Sequence, residues 1–172
     1  MNDINVDAAK CYIYRNARPL DLARWKYHFE NGSNQGVLDA LKAFQNKDGG
    51  FGHGLELDSL NPESSPIQTW KAMVRLEEIG FSDSSSEIIK GILRYLESNK
   101  GFNKDFNQWM RVIPSNNNYP HAVWWEFNKN NDLYEYNPTA YIAGFIIKYA
   151  NKNTLLYKPH LLKGSRDHKR SL

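Results

Sequence analysis

The sequence has 172 residues and a formal net charge of +3, with 41% hydrophobic and 24% charged residues. This balance is typical of a globular domain and excludes a disordered tail or a collagen-like fibre. No apolar run approaches the roughly 20 residues of a membrane-spanning helix, and residues 1–5 lack the basic and apolar pattern of a secretion signal. A single cysteine, Cys11, excludes an internal disulfide and a multi-cysteine zinc site within the chain. We therefore expect a cytoplasmic protein without an integral membrane segment.

Apolar residues recur at helical spacing along most of the chain. Residues 7–15 and 20–30 have helical patterns separated by a break at 17–19, and further helical stripes follow at 37–44, 67–74, 88–96 and 141–149. The less regular segment 101–137 predicts long ordered loops or short helices. Because no run of strict alternation indicates a strand, the expected fold class is all-α, with about seven or eight helices.

Local chemistry marks two of the expected helix starts. Ser64-Ser65-Pro66 precedes the stripe at 67–74, and Asn137-Pro138-Thr139 precedes the last one. A polar residue followed by proline is typical of a helix N-terminus, so we expect a polar cap at both places.

A weak internal repeat adds to the helical pattern. Residues 41–51 align with residues 93–102 when one deletion is allowed, and each copy is a helix followed by a glycine-phenylalanine turn. The segments after these turns, 68–72 and 139–143, also resemble each other. A repeated unit of helix, turn, loop and helix predicts stacked helical pairs.

The most specific string is Gln-Asn-Lys-Asp-Gly-Gly-Phe-Gly at residues 45–52. It resembles the Gln-x-x-Asp-Gly-x-Trp/Phe repeat of squalene-hopene cyclases and protein prenyltransferase β-subunits. Residues 14–25 and 52–58 resemble a group of uncharacterised bacterial proteins with repeats of this kind, and the resemblance covers roughly residues 10–155. In that superfamily the repeats tie helices together, so the resemblance implies a fold rather than a reaction.

The fold that the resemblance implies is the α/α toroid. A full toroid of about six helix pairs needs a longer chain, so we expect helical hairpins of an incomplete toroid, and the chain is expected to be a fragment or an open form. The reactions of the better-known relatives do not transfer. The Asp-x-Asp-Asp string of the cyclases is absent, and Cys11, the only thiol available for a prenyltransferase-type zinc site, is expected to be a small buried side chain.

The first candidate site follows the glycine turn and contains His53, Glu56 and Asp58. In a toroid this loop lies at the rim of the central cavity, where two carboxylates and an imidazole can act as general acid, general base or ligand contacts. These residues are the expected catalytic set. The alternative is structural: the carboxylates cap the next helix or pair with lysines, and His53 binds a backbone carbonyl.

The second candidate set consists of Arg111, His121, Trp124 and Trp125, which are expected to contact the substrate. Adjacent residues of a helix point about 100° apart, so at least one of the two tryptophans is expected to face a cavity or groove. An arginine in this segment can bind a carboxylate or phosphate group. Further aromatic residues in the same region are Trp109, Tyr134 and Tyr136. The alternative is an aromatic-rich core.

The positive charge lies at the end of the chain. Residues 158–172 contain five basic residues and one acidic residue, a net charge of +4, so residues 1–157 carry −1. We therefore expect a helical domain over 1–157 and a basic tail over 158–172 that is disordered or a non-native continuation. Because the body of the protein is nearly neutral, a nucleic-acid partner is not expected.

Three functions fit these patterns, and the sequence leaves open whether the protein is an enzyme. The first is a terpene-cyclase-like or prenyltransferase-like protein that binds a small molecule of unknown class in a concave aromatic and acidic cavity. The second is a carbohydrate-active lyase or hydrolase, or a sugar-binding protein, since paired carboxylates beside tryptophans suit sugars. The third is a non-catalytic helical scaffold whose exposed aromatic face binds another protein or a second copy of the chain. A second copy is also one way to cover the open toroid edge. No metal or cofactor is expected.

Overall fold

A computed structural model describes residues 5–128 and 136–157, and its architecture is mostly helical. Within these ranges the α-helices are α1 (Val6–Asn16), α2 (Pro19–Phe29), α3 (Asn34–Lys42), α4 (Pro66–Glu78), α5 (Glu87–Glu97) and α6 (Thr139–Tyr149). The helical class is confirmed, whereas the closure of the hairpins into a toroid stays a prediction. Among the described helices none is long and apolar enough to cross a membrane. The basic tail and Tyr134 lie outside the described residues.

The start of α4 forms as expected and the start of α6 does not. Ser65 is the N-cap of α4, and its hydroxyl accepts a hydrogen bond from the backbone N–H of Gln68 at 3.3 Å. At α6 the N-cap is Pro138, which forms no side-chain cap. The predicted polar cap at the second helix start is therefore wrong, because the residue in the cap position has no hydrogen-bonding side chain.

A small hairpin between α5 and α6 departs from the all-α expectation. Strands β1 (Phe102–Asn103) and β2 (Gln108–Trp109) pair antiparallel, with Phe102 opposite Trp109 and their ring centroids 5.0 Å apart. Two-residue strands are too short to show an alternating pattern, so periodicity could not reveal them. Two short 3-10 helices follow, at Pro114–Asn118 and Val123–Trp125, in agreement with the predicted short helices and loops.

The main core lies among α3, α4, α5 and α6. Most of its largest fully buried side chains lie at helical spacing in these helices, and Leu20 of α2, Phe51 and Trp109 add to them. The members from these four helices are Leu41, Met73, Leu76, Ile89, Ile92, Tyr95, Leu96, Ile142 and Ile146. In contrast, α1 packs beside α2 and contains no buried residue. Cys11 on this helix is exposed, so the prediction of a buried thiol is wrong, because α1 lies at the periphery.

The turn after α3 connects that helix to α5. The side-chain amide of Gln45 donates hydrogen bonds to the carbonyl oxygens of Gly49, at 3.0 Å, and Ile88, at 3.3 Å. Phe51 packs into the core with no exposed surface. The structural role predicted for this motif, a tie between neighbouring helices, is confirmed by these contacts.

Two similar hydrogen bonds fasten the loops before α4 and α6 to those helices, although they do not join residues that the repeat alignment pairs. The backbone N–H of Phe51 donates to the hydroxyl of Thr69 in α4 at 3.0 Å, and that of Trp109 donates to the hydroxyl of Thr139 in α6 at 2.8 Å. Each turn-and-loop segment is thus fastened to the start of the helix that follows. The aligned residues Trp70 and Tyr141 pack edge to face, with ring centroids 6.3 Å apart, so α4 and α6 lie side by side.

A carboxylate on α4 ties that helix to α2. Glu78 accepts hydrogen bonds from Arg24 at 3.0 Å, from His28 at 2.7 Å and from Arg75 at 2.8 Å. Burial alone would raise the pKa of Glu78, but the hydrogen bonds from Arg24, His28 and Arg75 outweigh it and hold the pKa below its ordinary value.

Candidate functional site

Asp58 holds both adjacent tryptophans. Its Oδ2 accepts a hydrogen bond from Trp124 Nε1 at 2.9 Å, and its Oδ1 accepts one from Trp125 Nε1 at 2.6 Å. One carboxylate therefore orients two indole rings that come from a segment more than 60 residues further along the chain. The structure thus brings together one residue of the expected catalytic set and two residues of the set expected to contact the substrate.

Backbone pairing brings these segments together. The N–H of Leu60 donates to the carbonyl of Pro120 at 3.0 Å, and the N–H of Ala122 donates to the carbonyl of Asp58 at 2.8 Å. Ser59 lies opposite His121 in this short antiparallel bridge. Ser59 is buried, whereas Asp58 is half-buried and Leu60 is exposed.

A network of buried polar side chains holds the two paired segments in place. Gln68 donates to the carbonyls of Ser59, at 3.4 Å, and Asn61, at 3.2 Å. Asn61 donates to Asn116 Oδ1 at 2.9 Å, and Asn116 in turn donates to the carbonyl of Trp125 at 3.1 Å. All four of these polar residues are buried, with at most 2% of their surface exposed. Sequence reasoning missed this network, because a buried amide side chain carries no periodic signal.

Arg111 fixes the tryptophan segment from another direction. Its Nη1 donates to the carbonyl of Trp124 at 3.2 Å, and its guanidinium lies over the ring of Trp125, 5.6 Å from the centroid. A guanidinium in this position combines a backbone hydrogen bond with a cation–π contact. Arg111 therefore positions the tryptophans in addition to any contact with a ligand.

The two tryptophans have different surroundings. Trp125 is 9% exposed and packs in a small cluster with Ile67 and Val112, whereas Trp124 is 56% exposed. Trp124 is thus exposed, and the expectation that one of the pair faces a cavity or groove stays a prediction. We name the surface formed by Asp58, Trp124, Trp125 and Arg111 the tryptophan platform.

Glu56 and His121 lie near the platform in sequence but make separate contacts. Glu56 forms an ion pair with Lys71 of α4 at 3.0 Å, and the Lys71 ammonium lies 5.1 Å from the centroid of the Trp70 ring. The ring of His121 binds the carbonyl of Tyr119 through Nδ1 at 2.6 Å. A carbonyl can only accept, so Nδ1 carries a proton, and Nε2 is an acceptor when the ring is neutral.

His53 faces a different groove. Its Nε2 lies 2.9 Å from Asn46 Oδ1, and the groove also contains Asp48, Glu63 and Lys100. Burial would raise the pKa of Asp48, but hydrogen bonds from Ser64, Lys100 and the backbone of Gly50 lower it below the ordinary value. The contacts of His53 thus differ from those of Asp58, and no contact joins the predicted catalytic set into one cluster within residues 5–128 and 136–157.

Two further aromatic residues of this region, Trp109 and Tyr136, are not part of the tryptophan platform. Trp109 is buried at 1% exposure in the hairpin, and Tyr136 is 81% exposed. In the described part of the chain no group of three histidine, cysteine, aspartate or glutamate side chains is placed to hold a metal ion.

Comparisons of the chain with protein-family models, with curated proteins and with solved structures find no match.

Proposed function

We propose that this protein binds a saccharide on the exposed indole face of Trp124. The observation that carries the proposal is the hydrogen bond of 2.9 Å between Trp124 Nε1 and Asp58, formed while the tryptophan is 56% exposed. An exposed aromatic ring that is already oriented loses little conformational freedom when a ring-shaped ligand stacks on it.

Polar groups that are close to the platform residues in sequence suit the polar edge of a sugar. Glu56 and Lys71 offer an acceptor and a donor as an ion pair, and a neutral His121 offers Nε2 as an acceptor. A binding site of this kind combines an apolar surface with a few oriented polar groups. The alternative ligand class, an isoprenoid, is favoured less, because a long apolar tail needs enclosure and Trp124 offers an open face.

Asp58 fits a positioning role better than an acid-base role. Each of its oxygens accepts an indole N–H, at 2.9 Å and 2.6 Å. A general acid or base must exchange a proton with the substrate, and to do so Asp58 would have to give up one of these bonds. The same contacts therefore favour binding over hydrolysis or elimination.

The test is isothermal titration calorimetry with a panel of neutral and uronic oligosaccharides. We expect saturable binding by the parent and at least about a fivefold loss of affinity in Trp124→Ala, since stacking on an aromatic ring contributes about 1 kcal/mol or more. Tyr136→Ala is the matched control, because it removes an aromatic ring that is 81% exposed outside the platform. The proposal is wrong if the parent binds none of the panel, or if Trp124→Ala binds as the parent does.

A second candidate uses the same surface for a second copy of the chain. Leu60 and Val123, which are 51% and 76% exposed, flank Asp58 and Trp124 in the paired segments and add apolar surface. Light scattering coupled to size-exclusion chromatography tests it: a dimer that Val123→Asp converts to a monomer supports this candidate. A parent that stays monomeric at high concentration excludes it.

A further inference from the structure

A cavity of about 340 Å³ lies between α4 and α6, and the platform residues do not line it. Its walls are mainly apolar and include Met73 and Leu76 from α4 and Phe145 and Tyr149 from α6. The volume lies within the range of roughly 300 to 1,000 Å³ that is usual for small-molecule sites. The cavity is thus large enough for a ligand.

Gly144 lines this space and is itself exposed. A Cβ added to Gly144 would meet no atom within 4 Å, so the middle of α6 faces an open volume. Glycine in the interior of a helix costs roughly 1 kcal/mol relative to alanine. Position 144 therefore leaves the volume open although a residue with a side chain, such as alanine, would make the helix more stable.

The polar groups of the cavity come from both helices, with Glu77 in α4 and Tyr141 and Lys148 in α6. Tyr141 donates a hydrogen bond to Glu77, and burial, followed by this hydrogen bond, raises the pKa of the Tyr141 phenol above its ordinary value. The phenol therefore stays protonated and satisfies the carboxylate. Lys148 lies two helical turns further on, about 10 Å along the axis at 1.5 Å per residue.

Lys148 is the charged group that a ligand can use. Its ammonium lies 5.0 Å from the centroid of the Tyr149 ring, which places it against the cavity wall. It forms no ion pair with any other residue of the described ranges. A mainly apolar groove, partly open to solvent, that is lined by a cation and by a carboxylate already bonded by a phenol is complementary to an amphiphile with an anionic head.

We propose that this cavity binds a medium-chain aliphatic carboxylate, with the chain against Met73, Leu76 and Phe145 and the carboxylate on Lys148. This site is independent of the saccharide proposal, and either can fail without the other. The apolar walls supply affinity in proportion to the area that they bury, and Lys148 supplies the preference for an anion.

The experiment is calorimetric titration of the full chain with decanoate and with decanol, both below their aggregation limits. We expect saturable binding of one decanoate per chain and weaker binding of decanol. Gly144→Leu fills the cavity and should abolish binding of both probes, while Gly144→Ala adds one methyl group and should retain it. Both substitutions raise helix propensity, so thermal unfolding should show folded variants at least as stable as the parent.

Lys148→Met tests the position of the head group. It should lower decanoate affinity about tenfold and leave decanol affinity unchanged. Lys148→Arg keeps the positive charge and should therefore retain the preference for decanoate over decanol. The proposal is overturned if the parent shows no saturable decanoate binding, or if folded Gly144→Leu binds decanoate as the parent does. An equal loss of both probes in Lys148→Met overturns the assignment of the head group.

Discussion

Gly49, in the turn after α3, lies directly against the backbone of Gly91 in α5. A Cβ on Gly49 would overlap the Gly91 carbonyl, and a Cβ on Gly91 would come within 2.5 Å of Gln45 Nε2. The close approach of the two backbones allows Gln45 to reach across to α5. Gly49 belongs to the motif at residues 45–52, and Gly91 belongs to α5, the helix to which the motif is bound.

This contact predicts a large cost for Gly49→Ala. The substitution places a side chain at φ +94° and against the backbone of α5, whereas Gly80→Ala, at φ +64° with no atom within 4 Å, meets only the conformational cost. We expect Gly80→Ala to lower the free energy of unfolding by about 1 to 2 kcal/mol and Gly49→Ala to lower it by at least about 2 kcal/mol more. Urea unfolding measures both, and equal costs would contradict the packing described for Gly49.

The buried network predicts that Gln68→Ala is strongly destabilising. The substitution removes two donated hydrogen bonds and leaves the carbonyls of Ser59 and Asn61 without this partner in a buried site. We expect a loss of about 2 to 4 kcal/mol in the free energy of unfolding. Gln35→Ala is the control, since Gln35 is exposed and donates a hydrogen bond to Asp39 on its own helix. It should change stability by less than about 0.5 kcal/mol, and a similar loss in both variants would argue against the network.

Asp58→Asn should loosen the tryptophan platform. The amide can accept a hydrogen bond from one indole, but its NH₂ group then faces the N–H of the other, because both indoles donate to the same carboxylate. We expect a loss of about 1 to 3 kcal/mol in stability and a change in the environment of Trp124 or Trp125, seen in tryptophan fluorescence. Asp39→Asn, at a carboxylate that is 60% exposed, is the control. Unchanged fluorescence and stability in Asp58→Asn would rule out the carboxylate as the anchor.

The Glu78 network predicts a pH dependence of stability. The folded-state pKa of Glu78 is lowered below its ordinary value of 4.5. The carboxylate therefore stabilises the fold above that value, and the stabilisation is lost as the pH falls through the folded-state pKa. We expect Glu78→Gln to be less stable than the parent near neutrality, with a difference that shrinks between about pH 5 and pH 3.

The matched control for this measurement is Glu87→Gln, at a carboxylate that is 85% exposed in an ion pair with Lys90. It should change stability by less than about 0.5 kcal/mol at any pH. A constant difference between Glu78→Gln and the parent across this pH range would contradict the role given to the network.

The helical fold could be predicted from the sequence because the core is built from periodic stripes. The stripe around Ile88, Ile89 and Ile92 is buried as its spacing indicates, and the motif at Gln45 makes the tie that its residue types suggested. The exposure of Cys11 could not be predicted, because periodicity gives the face of a helix and not whether another element covers it.

The candidate site could be predicted only in part. The adjacent pair predicts that one ring faces a cavity or groove, and the structure shows that Trp124 is exposed rather than packed in the core. The link between Asp58 and Trp124 depends on a pairing of segments more than 60 residues apart, which no local pattern records. The cavity beside Gly144 was missed for a similar reason, since a glycine within a helix shows a void only when the neighbouring helix is in place.

The peripheral position of α1 has a consequence for the order in which the fold opens. None of its residues is buried, so α1 can unfold without exposing the core around α5, and its opening free energy must be much smaller than that of the whole domain. Amide hydrogens of α1 should therefore exchange with solvent deuterium first, and those of α5, where Ile89, Ile92 and Leu96 are fully buried, should exchange last.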